Sequence, residues 1–189
     1  MSEGRLFYVI GPSGSGKGSL LRHARERLAA QPGMAPCVVF AHRYITRPVE
    51  SGGENHIALS EAEFDARLSA NLFAMHWTGN GLRYGIGREI NLWLAKGCDV
   101  VMNGSRAYLP QARQRYPDLA AILVTVAPAV LAARLRARGR ESEAQIAQRV
   151  ARAQALARPA PPLHVIHNDG ALADAGEQLL ELLAPMEMT

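Results

Sequence analysis

A glycine-rich loop between an apolar run and an amphipathic stretch constrains the fold of this chain most. Residues 11–17 have the pattern G-x-x-x-x-G-K, directly after LFYVI and directly before a segment, 19–30, with apolar residues at helical spacing. Glycines allow such a backbone to curl so that its N–H groups converge, and the helix N-terminus adds its dipole. This context predicts a strand, loop and helix that bind nucleotide phosphates; the alternative is a glycine-rich turn without a ligand.

The same loop supplies the predicted ATP and metal contacts. Lys17 can reach the β- and γ-phosphates and is a predicted catalytic residue. Loops of this kind usually have Ser or Thr after the lysine to bind Mg²⁺, but this chain has Gly18, so Ser19 is the predicted metal ligand. The ATP-binding residues predicted in the loop are Gly11, Ser13, Gly14, Ser15, Gly16, Lys17, Gly18 and Ser19.

Apolar runs and helical patterns alternate along the rest of the chain. The apolar runs predict buried parallel strands at 6–10, 37–40, 100–102, 121–126 and 164–166. Helices are predicted at 19–30, 61–70, 89–95, 129–136, 143–157 and 171–183. The alternation predicts an α/β fold of the P-loop NTPase type, with a doubly wound, five-stranded parallel sheet in a single domain over 1–189.

Charge is concentrated in one segment. Residues 131–158 contain seven arginines and two glutamates, whereas the whole chain has a net charge of +4. Nucleic-acid binding would need basic charge spread over a face, so this segment is more typical of a polyphosphate clamp, and we expect no nucleic-acid partner.

Cys37 and Cys98 both lie in apolar runs, which predicts small buried side chains rather than a disulfide, and favours a reducing cytoplasm. No export signal or membrane span is expected, because no leader pattern or sufficiently long apolar stretch occurs.

Three arginines of the basic segment are predicted to be catalytic. Arg134 and Arg138 are four residues apart and share a helix face, Gly139 can end that helix, and Arg149 follows. Phosphoryl transfer depends on charge neutralisation, which guanidinium groups provide. Residues of about 134–152 are therefore predicted to form a small helical lid. The alternative is solvated helix arginines, which we favour for Arg136 and Arg152.

Several motifs occur in one order along nearly the whole chain: GPSGSGK, ITRP, Gly53-Glu54, Tyr84-Gly85, RLRARGRESEAQIAQR and Asn168-Asp169. In this the chain resembles the guanylate-kinase-like branch of nucleoside monophosphate kinases. The resemblance implies that Arg47 and Tyr84 bind the acceptor phosphate within a region of about 43–93. Asn168 and Asp169 are expected to line the adenine pocket, the alternative being an ordinary cap between strand and helix.

The guanine contacts of that branch are missing, since Glu50 replaces an expected Arg and His56 lies near an expected Tyr. The strings AHRYITRP, GGENHIALSEAEF and VMNGSRAYLPQA instead resemble the ribose 1,5-bisphosphate phosphokinases of phosphonate catabolism. This resemblance implies that ATP and ribose 1,5-bisphosphate give ADP and 5-phospho-α-D-ribosyl 1-diphosphate, with Mg²⁺ as cofactor and a sugar phosphate as partner. Two alternatives stay open: a nucleoside monophosphate kinase of altered base preference, and a non-catalytic guanylate-kinase-like interaction module.

The acceptor side is rich in arginines, namely Arg43, Arg47, Arg83 and Arg106. Arg43 and Arg106 are predicted to hold the second phosphate of a bisphosphate, with salt bridges at strand ends as the alternative. Glu54 could bind a sugar hydroxyl or be a solvated loop acid. His56 is a further candidate acceptor contact, or simply a packed histidine.

Overall fold

The computed structural model describes residues 3–30, 37–48, 56–139, 141–155 and 163–184. The strands within these ranges are β1 (Leu6–Ile10), β2 (Val38–Ala41), β3 (Arg43–Ile45), β4 (His56–Ala58), β5 (Phe73–Gly79), β6 (Leu82–Gly87), β7 (Asp99–Asn103), β8 (Ala120–Thr125) and β9 (His164–His167). The helices are α1 (Lys17–Ala29), α2 (Glu61–Ser69), α3 (Glu89–Ala95), α4 (Leu109–Arg115), α5 (Pro128–Arg138), α6 (Glu143–Ala155) and α7 (Leu172–Leu183).

The main sheet has five strands in the order β2-β7-β1-β8-β9. All four neighbouring pairs are parallel. The predicted α/β class and five-stranded parallel sheet are therefore confirmed, and each predicted strand overlaps an observed one. The sequence missed α4, because this seven-residue helix buries only Leu109 and Ala112 and shows too little periodicity to be recognised.

Both faces of the main sheet are covered, which explains why its central strands β1, β7 and β8 consist mainly of apolar residues. Along β1, Leu6, Tyr8 and Ile10 contribute to one core cluster, whereas Phe7 and Val9 contribute to the other. Helices α1 and α7 pack on the second face, while α3, α4 and residues of a smaller sheet pack on the first. This alternation follows from the two-residue period of a strand.

A second sheet, of order β4-β3-β6-β5, lies within the predicted acceptor region. Strands β3 and β4 are parallel, and β6 is antiparallel to both β3 and β5. The β5–β6 hairpin turns at Asn80 (φ 52°) and Gly81 (φ 75°), both in the left-handed region that such two-residue turns require. The Asn-Gly pair between two apolar runs is a sequence signal for a hairpin, but this hairpin was not predicted.

The prediction for the two cysteines is wrong. Cys37 and Cys98 form a disulfide, with Cα atoms 4.6 Å apart, and Cys37 is exposed while Cys98 is half-buried. The two residues directly precede Val38 and Asp99, which are register partners in the parallel pair β2–β7. Sequence alone did not show that these strands are neighbours, so the proximity of the cysteines was hidden.

Within the described ranges, none of the helices has the length and apolar character needed to cross a bilayer.

Candidate nucleotide and acceptor site

The glycine-rich loop follows β1 and leads into α1, as the sequence predicts. Gly14 (φ 93°) and Gly16 (φ 86°) adopt left-handed conformations that favour glycine. Lys17 folds back over the loop, where its Nζ donates to the carbonyl oxygens of Gly11 at 2.7 Å and Pro12 at 3.0 Å. The Ser15 N–H also donates to Pro12 O at 3.2 Å, so the loop is closed by its own backbone groups.

The loop is also held from outside by the turn after β9. The buried Asn168 side chain donates through Nδ2 to the Ser15 carbonyl at 2.7 Å. A Cβ atom on Gly16 would collide with that amide, which gives a second reason for glycine there. Asp169 accepts a hydrogen bond from the Ala127 N–H at the start of α5. Both residues predicted to line an adenine pocket thus have protein partners that position the loop and α5.

Helices α5 and α6 form a hairpin with its own small core of Leu131, Leu135 and Ile146. The two leucines of α5 also pack against the phosphate loop at Gly14. A Cβ atom added to Gly14 would lie 2.7 Å from the Leu131 side chain and 3.3 Å from that of Leu135. The segment predicted to form a lid therefore packs directly against the phosphate loop.

The hairpin brings two of its three predicted arginines to the loop. Arg134 Nη1 is buried, makes no hydrogen bond within the described residues, and lies 3.8 Å from the position of a Cβ on Gly16. Arg149 Nη1 donates to the exposed Ser13 Oγ at 3.2 Å, and its Nη2 pairs with Glu141 at 3.2 Å. Arg138 is exposed at the end of α5. Arg136, interpreted as a solvated arginine, pairs with Glu143 at 2.8 Å.

The acceptor residues Arg43 and Tyr84 come together on the second sheet. The Arg43 guanidinium lies 4.8 Å from the centre of the Tyr84 ring, a favourable cation–π geometry. Tyr84 stacks on Trp77 at 5.6 Å, and Trp77 stacks on Tyr108 at 5.5 Å. Trp77 and Tyr108 were not predicted as site residues, although the Asn-Gly turn indicates a hairpin in which Trp77 lies opposite Tyr84.

Arg47 and His56 form a separate contact at the end of the second sheet. Buried His56 approaches Arg47 through Nε2, at 3.1 Å from the Arg47 carbonyl oxygen, and through Nδ1, at 3.4 Å from Nη2. Arg47 lines a cleft of about 350 Å³ that Tyr84 does not line. Glu54 lies outside the described residues.

Arg83 and Arg106 have different surroundings. Arg83 pairs with Asp65 at 2.6 Å and with Glu61 at 3.3 Å, so α2 holds it by two carboxylates. Arg106 is half-buried, and burial lowers the pKa of its guanidinium, with a smaller contribution from the charge of Arg152. The residue before it, Ser105, is fixed by Tyr8, whose hydroxyl donates to Ser105 O at 3.1 Å and accepts from its N–H at 3.0 Å.

The residues available for a metal ion are few. Gly18 offers no side chain, Ser19 is half-buried at the start of α1, and the amide of Asn103 is buried at the end of β7. Among the described residues, no group of three or more His, Cys, Asp or Glu side chains is placed to hold a metal ion. This donor set fits a Mg²⁺ ion held mainly by nucleotide phosphates and water, which is a common mode for this ion.

The protein is a P-loop kinase. This class is defined by the five-stranded parallel sheet, the phosphate loop after strand β1 and the arginine-bearing helical hairpin that packs against that loop. The fold is similar to that of guanylate kinase from Anaplasma phagocytophilum, with a TM-score of 0.66, 17% identity, and 96% of this chain and 85% of that chain covered.

Comparison with known sequences identifies the family, which the similarity of fold does not. The chain is 70% identical to ribose 1,5-bisphosphate phosphokinase PhnN of Thiobacillus denitrificans, over 97% of this chain and 95% of that protein. It is 58% identical to the PhnN protein of Laribacter hongkongensis, over 96% of this chain but 43% of that longer protein. No family profile matches the chain. The chain belongs to the ribose 1,5-bisphosphate phosphokinase family.

Proposed function

We propose that this protein transfers the γ-phosphoryl group of ATP to ribose 1,5-bisphosphate, giving ADP and 5-phospho-α-D-ribosyl 1-diphosphate in phosphonate catabolism. The name and coverage of the Thiobacillus denitrificans relative support this reaction. The observation that carries the proposal is that two buried groups at the phosphate loop, Arg134 Nη1 and Ser15 Oγ, make no hydrogen bond within the described residues. A buried polar group without a partner costs about 1–3 kcal/mol, and phosphate oxygens at the loop would remove that cost.

The chemistry needs charge neutralisation and alignment more than proton transfer. An oxygen of the acceptor phosphate bonds to the γ-phosphorus while the bond to the leaving ADP oxygen breaks. The second pKa of a phosphate monoester is about 6, so the attacking group is already largely ionised at neutral pH and needs no general base. Lys17, Arg134 and Arg149 would neutralise the transferring group, and we propose that Arg138, which is exposed at the end of α5, joins them. Bound Mg²⁺ would supply further positive charge, with Ser19 as the protein ligand.

On the acceptor side we assign one phosphate to Arg47 and Tyr84, and the second to Arg43 and Arg106. The contact between Arg43 and Tyr84 supports a continuous acceptor surface. The contact of His56 with Arg47 suits a residue that orients this arginine. We assign Glu54 to a hydroxyl group of the sugar.

We also propose a cytoplasmic location, since ATP and sugar phosphates are metabolites of that compartment, with no nucleic-acid partner. In that compartment the disulfide would be exposed to a reducing thiol pool.

The test is an assay of purified protein with ATP, Mg²⁺ and either ribose 1,5-bisphosphate or GMP. We expect phosphoribosyl diphosphate from the first acceptor, loss of turnover in Lys17→Ala, and a fall of roughly 10²–10³-fold in Arg134→Gln. Arg136→Gln is the matched control, because Arg136 is on the same helix but pairs with Glu143 at the surface. Turnover of GMP alone would indicate a nucleoside monophosphate kinase, and ATP binding with no turnover of either acceptor would indicate a binding module; both results reject the proposal.

A further inference from the structure

A basic cleft lies beside the phosphate loop, between α1 and the end of β2. We call it the α1–β2 cleft; the residues that matter here are Gly18, Arg22, Arg25, His42, Arg43 and Asn103. Arg22, Arg25 and His42 were not predicted as site residues. Gly18, Arg22 and Arg25 recur at the spacing of one helix face, so α1 presents both arginines on the side that faces the cleft.

The charge of the cleft selects an anion. Three guanidinium groups and one imidazole line it, and none of the described lining residues has a carboxylate. Clustered positive charge in a concave site raises the local potential and attracts anions. Arginine is the side chain best suited to binding a phosphate through two hydrogen bonds.

The size of the cleft limits what that anion can be. Its volume is about 130 Å³. Binding sites for whole drug-sized ligands have about 300–1,000 Å³. The volume of the cleft is well below that range, so the cleft suits a single small anion such as one phosphate group.

The cleft lies between the phosphate loop and the acceptor residues of the second sheet. Gly18 directly follows Lys17 of the phosphate loop, and Asn103 ends β7, so the cleft lies at the carboxyl ends of parallel strands, where open α/β sheets bind ligands. Arg43 lines the cleft and also stacks on Tyr84. An acceptor with two phosphates could thus contact the second sheet and the α1–β2 cleft at the same time.

We propose that the α1–β2 cleft binds the phosphate of the acceptor that does not react, with Arg22, Arg25 and His42 acting together with Arg43. Arg106, which was assigned to the same phosphate above, does not line this cleft. The inference rests on the proposed function, because it takes a sugar bisphosphate as the acceptor. It makes Arg22 and Arg25 determinants of specificity, which distinguish an acceptor with two phosphates from a monophosphate. Neither arginine takes part in the transfer step.

The first experiment compares Arg22→Gln/Arg25→Gln with wild type and with Arg27→Gln. Arg27 is a matched control, since it is on the same helix but pairs with Glu177 of α7 at 3.3 Å. We expect the double variant to raise KM for ribose 1,5-bisphosphate by roughly 10–100-fold with KM for ATP unchanged, from the loss of charged hydrogen bonds. The Arg22→Lys/Arg25→Lys variant should recover part of the affinity. An unchanged acceptor KM, or an equal change in both KM values, would overturn the inference.

A binding experiment separates this inference from the proposed reaction. A non-hydrolysable ATP analogue first saturates the phosphate loop, and ribose 5-phosphate is then titrated while Tm is measured. We expect ribose 5-phosphate to raise the Tm of wild type and Arg27→Gln but not that of Arg22→Gln/Arg25→Gln. If this pattern appears without turnover of ribose 1,5-bisphosphate, the assignment of a phosphate to the cleft is supported and the proposed reaction is rejected. If turnover occurs but the double variant responds like wild type, the cleft assignment is wrong.

Discussion

Reduction of the disulfide between Cys37 and Cys98 should destabilise the protein strongly. The bond closes a loop with a sequence separation of 61 residues. In the chain-entropy description, a cross-link over a loop of that length lowers the entropy of the unfolded state by an amount worth about 4 kcal/mol at 25 °C. With a urea m-value of about 2 kcal/mol per molar, reduction should lower the midpoint of unfolding by about 2 M.

The assay is urea unfolding followed by circular dichroism, with and without a reductant. The variant Cys37→Ser/Cys98→Ser is the control, and it should unfold near the midpoint of reduced wild type and be insensitive to reductant. Mass spectrometry after alkylation of the non-reduced protein should find neither thiol modified. Two alkylated thiols, or equal midpoints with and without reductant, would refute the reasoning, and the sequence-based interpretation of unlinked cysteines would then be correct.

Three further changes test the local structure. Gly16→Ala places a side chain at a left-handed φ and should cost at least 1–2 kcal/mol and weaken ATP binding, whereas Gly170→Ala, where a Cβ meets only an ordinary contact, should be nearly neutral in both measurements. Tyr8→Phe removes two hydrogen bonds to the β7–α4 loop and should lower stability in urea by about 1–3 kcal/mol; no loss would show that this loop is held otherwise. Ser60 holds the pKa of Glu63 below its usual range, so this group stabilises α2 above the ordinary carboxyl pKa and stops doing so as pH falls through the lowered value. The difference in Tm between wild type and Ser60→Ala should therefore shrink in acid, and a constant difference would contradict the assigned hydrogen bonds.

The main sheet was predictable because its signals are local. Each buried strand is a short apolar run, and the loop from Gly11 to Lys17 has a pattern whose backbone requirements are specific. The strand β1 was placed at its observed limits for this reason. Helix α3 was also predicted at its observed limits, 89–95.

What the sequence could not show depends on neighbours distant along the chain. The disulfide requires β2 to lie beside β7, and the α1–β2 cleft requires α1 to face the end of β2. Arg83 was grouped with acceptor residues by composition, although its partners are two acids of α2. Contacts of this kind form only when distant segments fold together, so the local patterns of a single sequence do not reveal them.

The hydrogen bonds from Lys17 to the Gly11 and Pro12 carbonyls affect how nucleotide affinity should be interpreted. ATP would meet an ammonium group that already donates to two backbone carbonyls, so a phosphate oxygen that takes over one of these donors replaces a hydrogen bond rather than adding one. In Lys17→Ala, the Gly11 carbonyl loses this donor in the free protein as well, and the Pro12 carbonyl keeps only the Ser15 N–H, so part of the damage is already present before ATP arrives. The measured loss of affinity therefore understates the contact energy between Lys17 and the phosphates, and the remainder should be found in the stability of the free protein.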